Sequence, residues 1–427
     1  MRVVWFFVLS IVLVLFGVGL VNSVFFGKTY ACLDCNLVII SLDTLRGDML
    51  GYMNYSLNTT PFLDEFSKES VVFTRAFSNA PWTLPSHASM FTGLFAGTHG
   101  AIQGDSVLTN TTFTEVLANK GYATFAFSGA GFVSEATGVL NGFQTVFEDK
   151  TTIFLKPFDF PVIRDTLACK SPFFAFFHTY YPHDPYVLNN ESEVVFPIFN
   201  SNLSITLAQL LSRKGIDVNT ISMEEALTNV SYREISRGYV LEFNDTPREA
   251  ENAKRAYANK IRKTDEYVRE LFNLLEEKGC LEKTLVVVMS DHGEAFGEHG
   301  TFLHRKLYNT EIHVPLLIHF PENMHEIREE PVMLADLFPT ILTSLGVSYA
   351  DHVDGTDMFS AEHVSTIISG HAQETPYFKD ISVIKDSYKL IITPNGTELY
   401  NIAVDFGETT NLNQSFPEVV DALRSRI

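Results

Sequence analysis

"NLVIISLD", residues 36–43, packs five aliphatic side chains into eight positions and ends in a carboxylate. A run this apolar leaves no polar face for water, so it reads as a parallel strand covered on both sides. Four other stretches read the same way: "ATFAFSG" (123–129), "PFFAFFH" (172–178), "TLVVVMSD" (284–291) and "VPLLIHF" (314–320). Helical patterns lie between them, in "TPFLDEFSKES" (60–70), "NTTFTEVLANKG" (110–121) and a long segment from Arg248 to Gly279. The long one sets Ala256, Tyr257, Ile261, Val268, Leu271, Phe272 and Leu275 on one apolar stripe. Buried strands alternating with helices predict an α/β fold with helices on both faces of the sheet.

With 427 residues, 46% hydrophobic and 19% charged, the chain can bury a sizeable core and form two subdomains. A formal charge of -20 argues against a nucleic-acid partner and against an electrostatic grip on anionic headgroups. At the N-terminus, Arg2 precedes an uncharged run from Val3 to Val21, about 28 Å as a helix. Residues 1–26 are therefore either a signal-anchor helix, which makes the membrane a partner, or a cleaved signal peptide. The first puts an extracytoplasmic domain on the cell membrane and the second makes the protein secreted. Nine Asn-X-Ser/Thr sequons agree with export: Asn54, Asn58, Asn110, Asn190, Asn202, Asn229, Asn244, Asn395 and Asn413. The linker 27–36 holds Cys32 and Cys35, which an exported chain can close as a disulfide. Zinc is the rival reading, although no second Cys/His pair follows at finger spacing.

Residues 37–346 are read as the catalytic domain. Within it, 187–245 is polar, carries four of the sequons and reads as an insertion. Residues 347–427 form a small C-terminal α+β subdomain, with a hairpin expected around Asn395-Gly396.

Ligands gather beyond the carboxyl ends of strands in open α/β sheets. There the sequence places Asp43, then Asp291 and His292, then His178 and His183, with His304 shortly before the last strand. Asp43, Asp291 and His292 mix oxygen and nitrogen donors, which suits Zn or Mn, with Ca or Mg as alternatives. Aspartates at strand ends also cap helices, so the same residues have a structural reading. Thr83, in "APWTLPSHASMFTG" (80–93), precedes Pro85 at a probable helix start. Either its hydroxyl caps that helix, or it acts as a nucleophile where free amides and the helix dipole favour an oxyanion.

"VIISLDTLRGDMLGY", "NAPWTLPSHASMFTGLFAGTHG", "FFAFFHTYYPHDPY", "VVVMSDHGEAFGEHG", "ADLFPTIL" and "ELYNIAVDFGETTNL" occur in the order found in sulfatases. The chain resembles the sulfatase family of the alkaline phosphatase superfamily over nearly everything after Asn36 except the insertion. That resemblance implies an alkaline-phosphatase-like central mixed, mostly parallel sheet, a divalent metal at the strand ends and a nucleophile at a helix start. Carried over by position, Thr83 matches the nucleophile and a further metal ligand, while Asp43, Asp291 and His292 match metal ligands. His183 matches a histidine on the anionic group. His304 falls where many sulfatases place a lysine beside the leaving group.

The chain departs from the family in four places. Sulfatases read Cys or Ser, then X-Pro-Ser-Arg, and convert the first residue to formylglycine. Here Thr83 cannot yield that aldehyde, and His87, a candidate substrate contact, replaces the Arg. Thr44 stands for the second Asp, and Gly129 and Gly131 stand for a Lys-X-His pair. A threonine nucleophile looks more like the phosphatase, phosphodiesterase and phosphotransferase branches. The first expectation is therefore an extracytoplasmic metal-dependent hydrolase or transferase cleaving a phosphate ester or phosphodiester, with His304 or His183 as proton donor. A sulfuric ester hydrolase with unmodified threonine is the alternative, and a silent binding protein on this scaffold is the third. The substrate would be a small-molecule, lipid-linked or glycan-linked phosphate or sulfate ester. His183 and His304 as ligands of a second metal are a further option. Secondary expectations are an Arg46–Asp48 ion pair, a loop ordered by Glu294, Glu298 and His299, His178 as a buried donor, and Trp82 as pocket wall or core.

Overall fold

The computed structural model describes residues 30–149, 157–170, 172–184, 186–187, 194–195, 215, 247–370 and 380–427. The expected N-terminal membrane helix and nearly all of the 187–245 insertion lie outside these residues. Among the described residues, no helix is long and apolar enough to cross a membrane.

Eight strands form the central sheet, in the spatial order Glu326–Arg328, Val71–Phe73, Leu316–His319, Thr284–Met289, Asn36–Leu42, Phe173–Thr179, Ala123–Ser128, Thr145–Glu148. The five long apolar runs read from the sequence occupy the five contiguous places from Leu316–His319 to Ala123–Ser128. All neighbours pair in parallel except at Leu316–His319, which runs antiparallel to both of its partners. The sheet is thus mixed and mostly parallel. Both outermost strands are short and only partly buried or exposed, which limits open edge.

Alternate residues of each central strand serve opposite faces. Val38, Ile40 and Leu42, with Phe173, Ala175 and Phe177, pack under Ala256, Tyr257, Ile261, Val268, Leu271 and Leu275 of the helix Pro247–Glu277. On the other face Phe174 and Phe176 meet Phe91 of the helix Thr83–Thr92 and Phe113 of the helix Phe113–Asn119, with ring centroids 5.1–5.6 Å apart. Thr112 and Glu115 close a capping box at the start of that second helix. Towards the C-terminus a four-stranded antiparallel sheet ends in the hairpin Tyr388–Thr393 and Gly396–Asn401. Its Ile367, Ile384 and Ile391 pack against Phe77, Leu307 and Met333 of the main body.

Cys32 and Cys35 form the disulfide the spacing suggested. A second joins Cys169 to Cys280 across 111 residues. The sequence reading missed it, because spacing says nothing about partners so far apart.

Candidate active site

The helix Thr83–Thr92 points its N-terminus at the carboxyl ends of the central strands. Its N-cap is Trp82, which is extended (φ -161°, ψ 163°) and makes no side-chain capping bond. Thr83 is the first helical residue, so its hydroxyl is not a cap. Oγ1 donates to Asp43 Oδ2 at 3.2 Å and lies 3.3 Å from His292 Nε2. Two serines fasten the helix start in place. Ser86 Oγ donates to the Asp291 carbonyl at 2.7 Å, and Ser78 Oγ donates to Ser86 Oγ at 2.9 Å.

Asp43, Asp291 and His292 offer ligand atoms within 4.8 Å of one another, and all three are fully buried. Asp43 Oδ1 and Asp291 Oδ2 are buried without a hydrogen-bond partner. Burial and the nearby Asp291 push the Asp43 carboxyl well above the usual carboxylate range. His292 Nδ1 faces the Gly293 carbonyl at 2.9 Å. A carbonyl only accepts, so Nδ1 carries the hydrogen and Nε2 keeps its lone pair towards the carboxylates. Burial pulls this imidazole down to about 4, which leaves it neutral. Two orphaned carboxylate oxygens beside an imidazole lone pair are the donor set a divalent cation requires, and these residues fit one.

The remaining histidines fall into different roles. His87 is fully buried, with Nδ1 2.9 Å from the Thr83 carbonyl and Nε2 2.9 Å from Ser41 Oγ. It therefore stands behind Thr83 and supports it, which corrects the expectation of a substrate contact. His178 is also buried, with Nε2 3.5 Å from Asp43 Oδ2 and neither ring nitrogen hydrogen-bonded. Burial above all pulls it well below its ordinary value.

His183 and His304 face each other with ring centroids 5.0 Å apart, and His304 lies 4.4 Å from His292. Their protonation differs. Burial disfavours charge on His183, but Asp184 Oδ1 at 2.6 Å from Nδ1, then Asp43 and Glu294, push it up to about 10. Burial and the charge of His183 pull His304 down to about 3, although Nδ1 lies 3.1 Å from Glu294 Oε1. At neutral pH these surroundings keep a proton on His183 and leave His304 neutral. Asp184 escaped the sequence reading because it is the plain residue beside a conspicuous histidine.

Arg46 is buried against Asp48 (2.7 Å), Glu298 (2.9 Å) and the Glu294 carbonyl (2.9 Å). It thereby ties the Asp43 loop to the loop after His292. His299 stacks on Tyr308 at 3.7 Å. Thr44, where the family carries Asp, has φ +59°. Its amide donates to Asp291 Oδ1 at 3.2 Å, and Tyr257 Oη donates to its carbonyl at 2.6 Å while accepting from the Arg46 amide at 2.9 Å. Tyr257 had been read only as part of an apolar stripe.

The sulfatase family model matches residues 35–347. This chain belongs to the sulfatase family. It is an ester hydrolase of that metal-dependent family, and a second family model, N-sulphoglucosamine sulphohydrolase C-terminal, matches residues 297–427. Arylsulfatase K of Bos taurus is 23% identical over 442 residues, covering 92% of this chain and 81% of that protein. Arylsulfatase K of Xenopus laevis is 24% identical over 443 residues, covering 92% and 81%. The fold is similar to BT4656 in complex with its substrate D-glucosamine-2-N,6-O-disulfate, with a TM-score of 0.73 at 18% identity over 92% of this chain and 96% of that one. It is also similar to the phosphonate monoester hydrolase of Agrobacterium radiobacter, with a TM-score of 0.68 at 18% identity over 92% and 94%.

Proposed function

We propose that this protein hydrolyses a sulfuric ester, with the unmodified Thr83 hydroxyl as nucleophile. One observation carries the nucleophile: Thr83 Oγ1 lies between Asp43 and His292 at a helix N-terminus, free of any capping duty. The family match and the arylsulfatase relatives favour sulfate over the phosphate ester that threonine first suggested.

Asp43, Asp291 and His292 would hold a divalent cation, which when bound supplies positive charge against the ester's oxygens and eases ionisation of the hydroxyl. Thr83 Oγ1 gives its proton to Asp43 and attacks sulfur in line. The new O–S bond forms as the bond from sulfur to the alcohol oxygen breaks, and the His183 imidazolium protonates that oxygen. The free amides at the helix start face the sulfate oxygens. Water then attacks the sulfothreonine. One of its protons returns to His183, Asp43 reprotonates Thr83, and hydrogen sulfate leaves.

A specific observation favours a second reading. Threonine stands where the family converts Cys or Ser to an aldehyde, and a plain hydroxyl suits a phosphate ester or diester. Turnover of paired aryl sulfate, phosphate and phosphodiester substrates by the purified protein, with added Mn²⁺ or Zn²⁺, separates the two. Phosphate turnover exceeding sulfate turnover would sink the first reading. We further propose that the enzyme works outside the cytoplasm. Support comes from the apolar N-terminal run, the sequons and the disulfides.

A further inference from the structure

His304 follows a strained residue. Leu303 has φ +65°, a left-handed conformation that a bulky side chain keeps only when its surroundings impose it. The constraint comes from Glu311, which is fully buried. Its Oε2 accepts from the amides of Arg305 and Lys306, the two residues after His304. Its Oε1 lies 3.5 Å from Thr301 Oγ1, on the other side of Leu303. One carboxyl therefore grips the His304 segment from both ends.

The main chain of the same short helix, Asn309–Ile312, holds the loop of the cation ligands. The Gly293 amide donates to the Glu311 carbonyl at 2.7 Å, and the Glu294 amide donates to the Thr310 carbonyl at 2.9 Å. A Cβ at Gly293 would fall 2.2 Å from that Thr310 oxygen, so glycine after His292 is what allows the approach. Glu311 thus joins the His304 segment through its side chain to the His292 loop through its backbone. The helix is anchored in turn by the C-terminal subdomain. The Asn309 amide donates to Glu408 Oε2 at 2.6 Å, and Lys389 Nζ donates to Asn309 Oδ1 at 3.0 Å. Lys389 and Glu408 form a buried ion pair at 2.7 Å. Such a pair gains little stability over apolar packing; here it fixes the residue that starts the helix.

We propose that Glu311 is a positioning residue for ester hydrolysis, setting the His304 ring against His292 and His183 at the reacting centre. It acts through His304 and not by touching the ester. The inference rests on the ester-hydrolase reading of the site, in which His304 flanks the leaving group. Burial pushes the Glu311 carboxyl well above the usual carboxylate range despite the two amides, so a neutral glutamine amide is a close substitute for it.

The test reads the position of His304 separately from turnover. In full-length protein carrying isotope-labelled histidine, with Zn²⁺ present, the ring C–H resonance of His304 is the one lost in His304→Ala. That resonance should shift in Glu311→Ala and return in Glu311→Gln, which keeps an acceptor oxygen for the amides. Should the alanine variant not fold, Glu311→Asp withdraws the carboxyl by one methylene and takes its place. On whichever aryl ester the parent turns over, Glu311→Ala should lower kcat on the order of 10²-fold, the cost of a small misplacement, with KM within about threefold. Glu311→Gln should restore most of the loss. In a His304→Ala background, Glu311→Ala should cost less than about threefold more, because the two act as one unit. An unmoved resonance, an unchanged kcat, or losses that multiply in the double variant overturn the proposal. If the resonance moves and returns as expected while no ester turns over, the function proposed above fails and the positioning role stands.

Discussion

Thr83 Oγ1 lies 3.2 Å from Asp43 Oδ2 although forty positions separate the two residues. The contact exists because the Asn36–Leu42 strand delivers Asp43 to the sheet's carboxyl edge, where the Thr83–Thr92 helix begins. A hydroxyl at this point has an acceptor for its proton and stands at the start of a helix, the two features on which the proposed nucleophile rests.

Removing that hydroxyl is the first prediction. Thr83→Ala should lower kcat on the best ester by on the order of 10³-fold or more, while Thr83→Ser keeps a substantial fraction. Intact mass after a brief substrate pulse should show an 83-linked adduct in the parent and none in the alanine variant. Full turnover by Thr83→Ala would remove the nucleophile from the mechanism.

The orphaned oxygens of Asp43 and Asp291 lead to a second expectation. A bound divalent cation should raise the melting temperature by several degrees, because saturation at 100 times Kd contributes about 2.7 kcal/mol. Chelation should reverse the shift and abolish turnover, and Asp291→Asn should lose the shift. Calorimetry with and without Mn²⁺ or Zn²⁺ reads this directly. No shift at millimolar cation would contradict the proposed site.

His183, as the proposed proton donor, should set the alkaline limb of the pH profile. Its folded pKa, raised to about 10, exceeds the ordinary histidine value, so the folded state holds the proton more tightly. Its contribution to stability is therefore complete below about pH 6.5 and is lost as pH rises through about 10. kcat/KM should stay level through neutral pH and fall as His183 loses its proton. Asp184→Asn removes the principal support of that proton and should move the fall to lower pH. An unmoved pH profile in this variant would take the acid role away from His183.

Tyr257 offers a stability test away from the reacting atoms. Tyr257→Phe leaves the buried Thr44 carbonyl without its donor and the Arg46 amide without its acceptor. The loss should be roughly 1–3 kcal/mol in urea unfolding. It should come with slower turnover, because Thr44 also donates to Asp291. A change below about 0.5 kcal/mol would mean that water or a local shift satisfies both groups.

Five central strands, the long helix with its buried stripe, and the site candidates at strand ends were legible in the sequence. Burial on both faces makes a strand continuously apolar, and a one-sided helix repeats its apolar residues with helical period. These signals are local. The short strands Val71–Phe73, Thr145–Glu148 and Glu326–Arg328 run three or four residues each, too short to show a period. Only the tertiary structure joined Cys169 to Cys280, set His87 behind Thr83, favoured a proton on His183 while leaving His304 neutral, and set Tyr180 against Gly129 and Gly131. Each of these outcomes depends on distances between residues far apart in the chain, or on burial and neighbouring charge, and no residue's identity encodes them. The sequence by itself determined which chemical groups were available at the edge of the sheet, and the fold decided which of them meet.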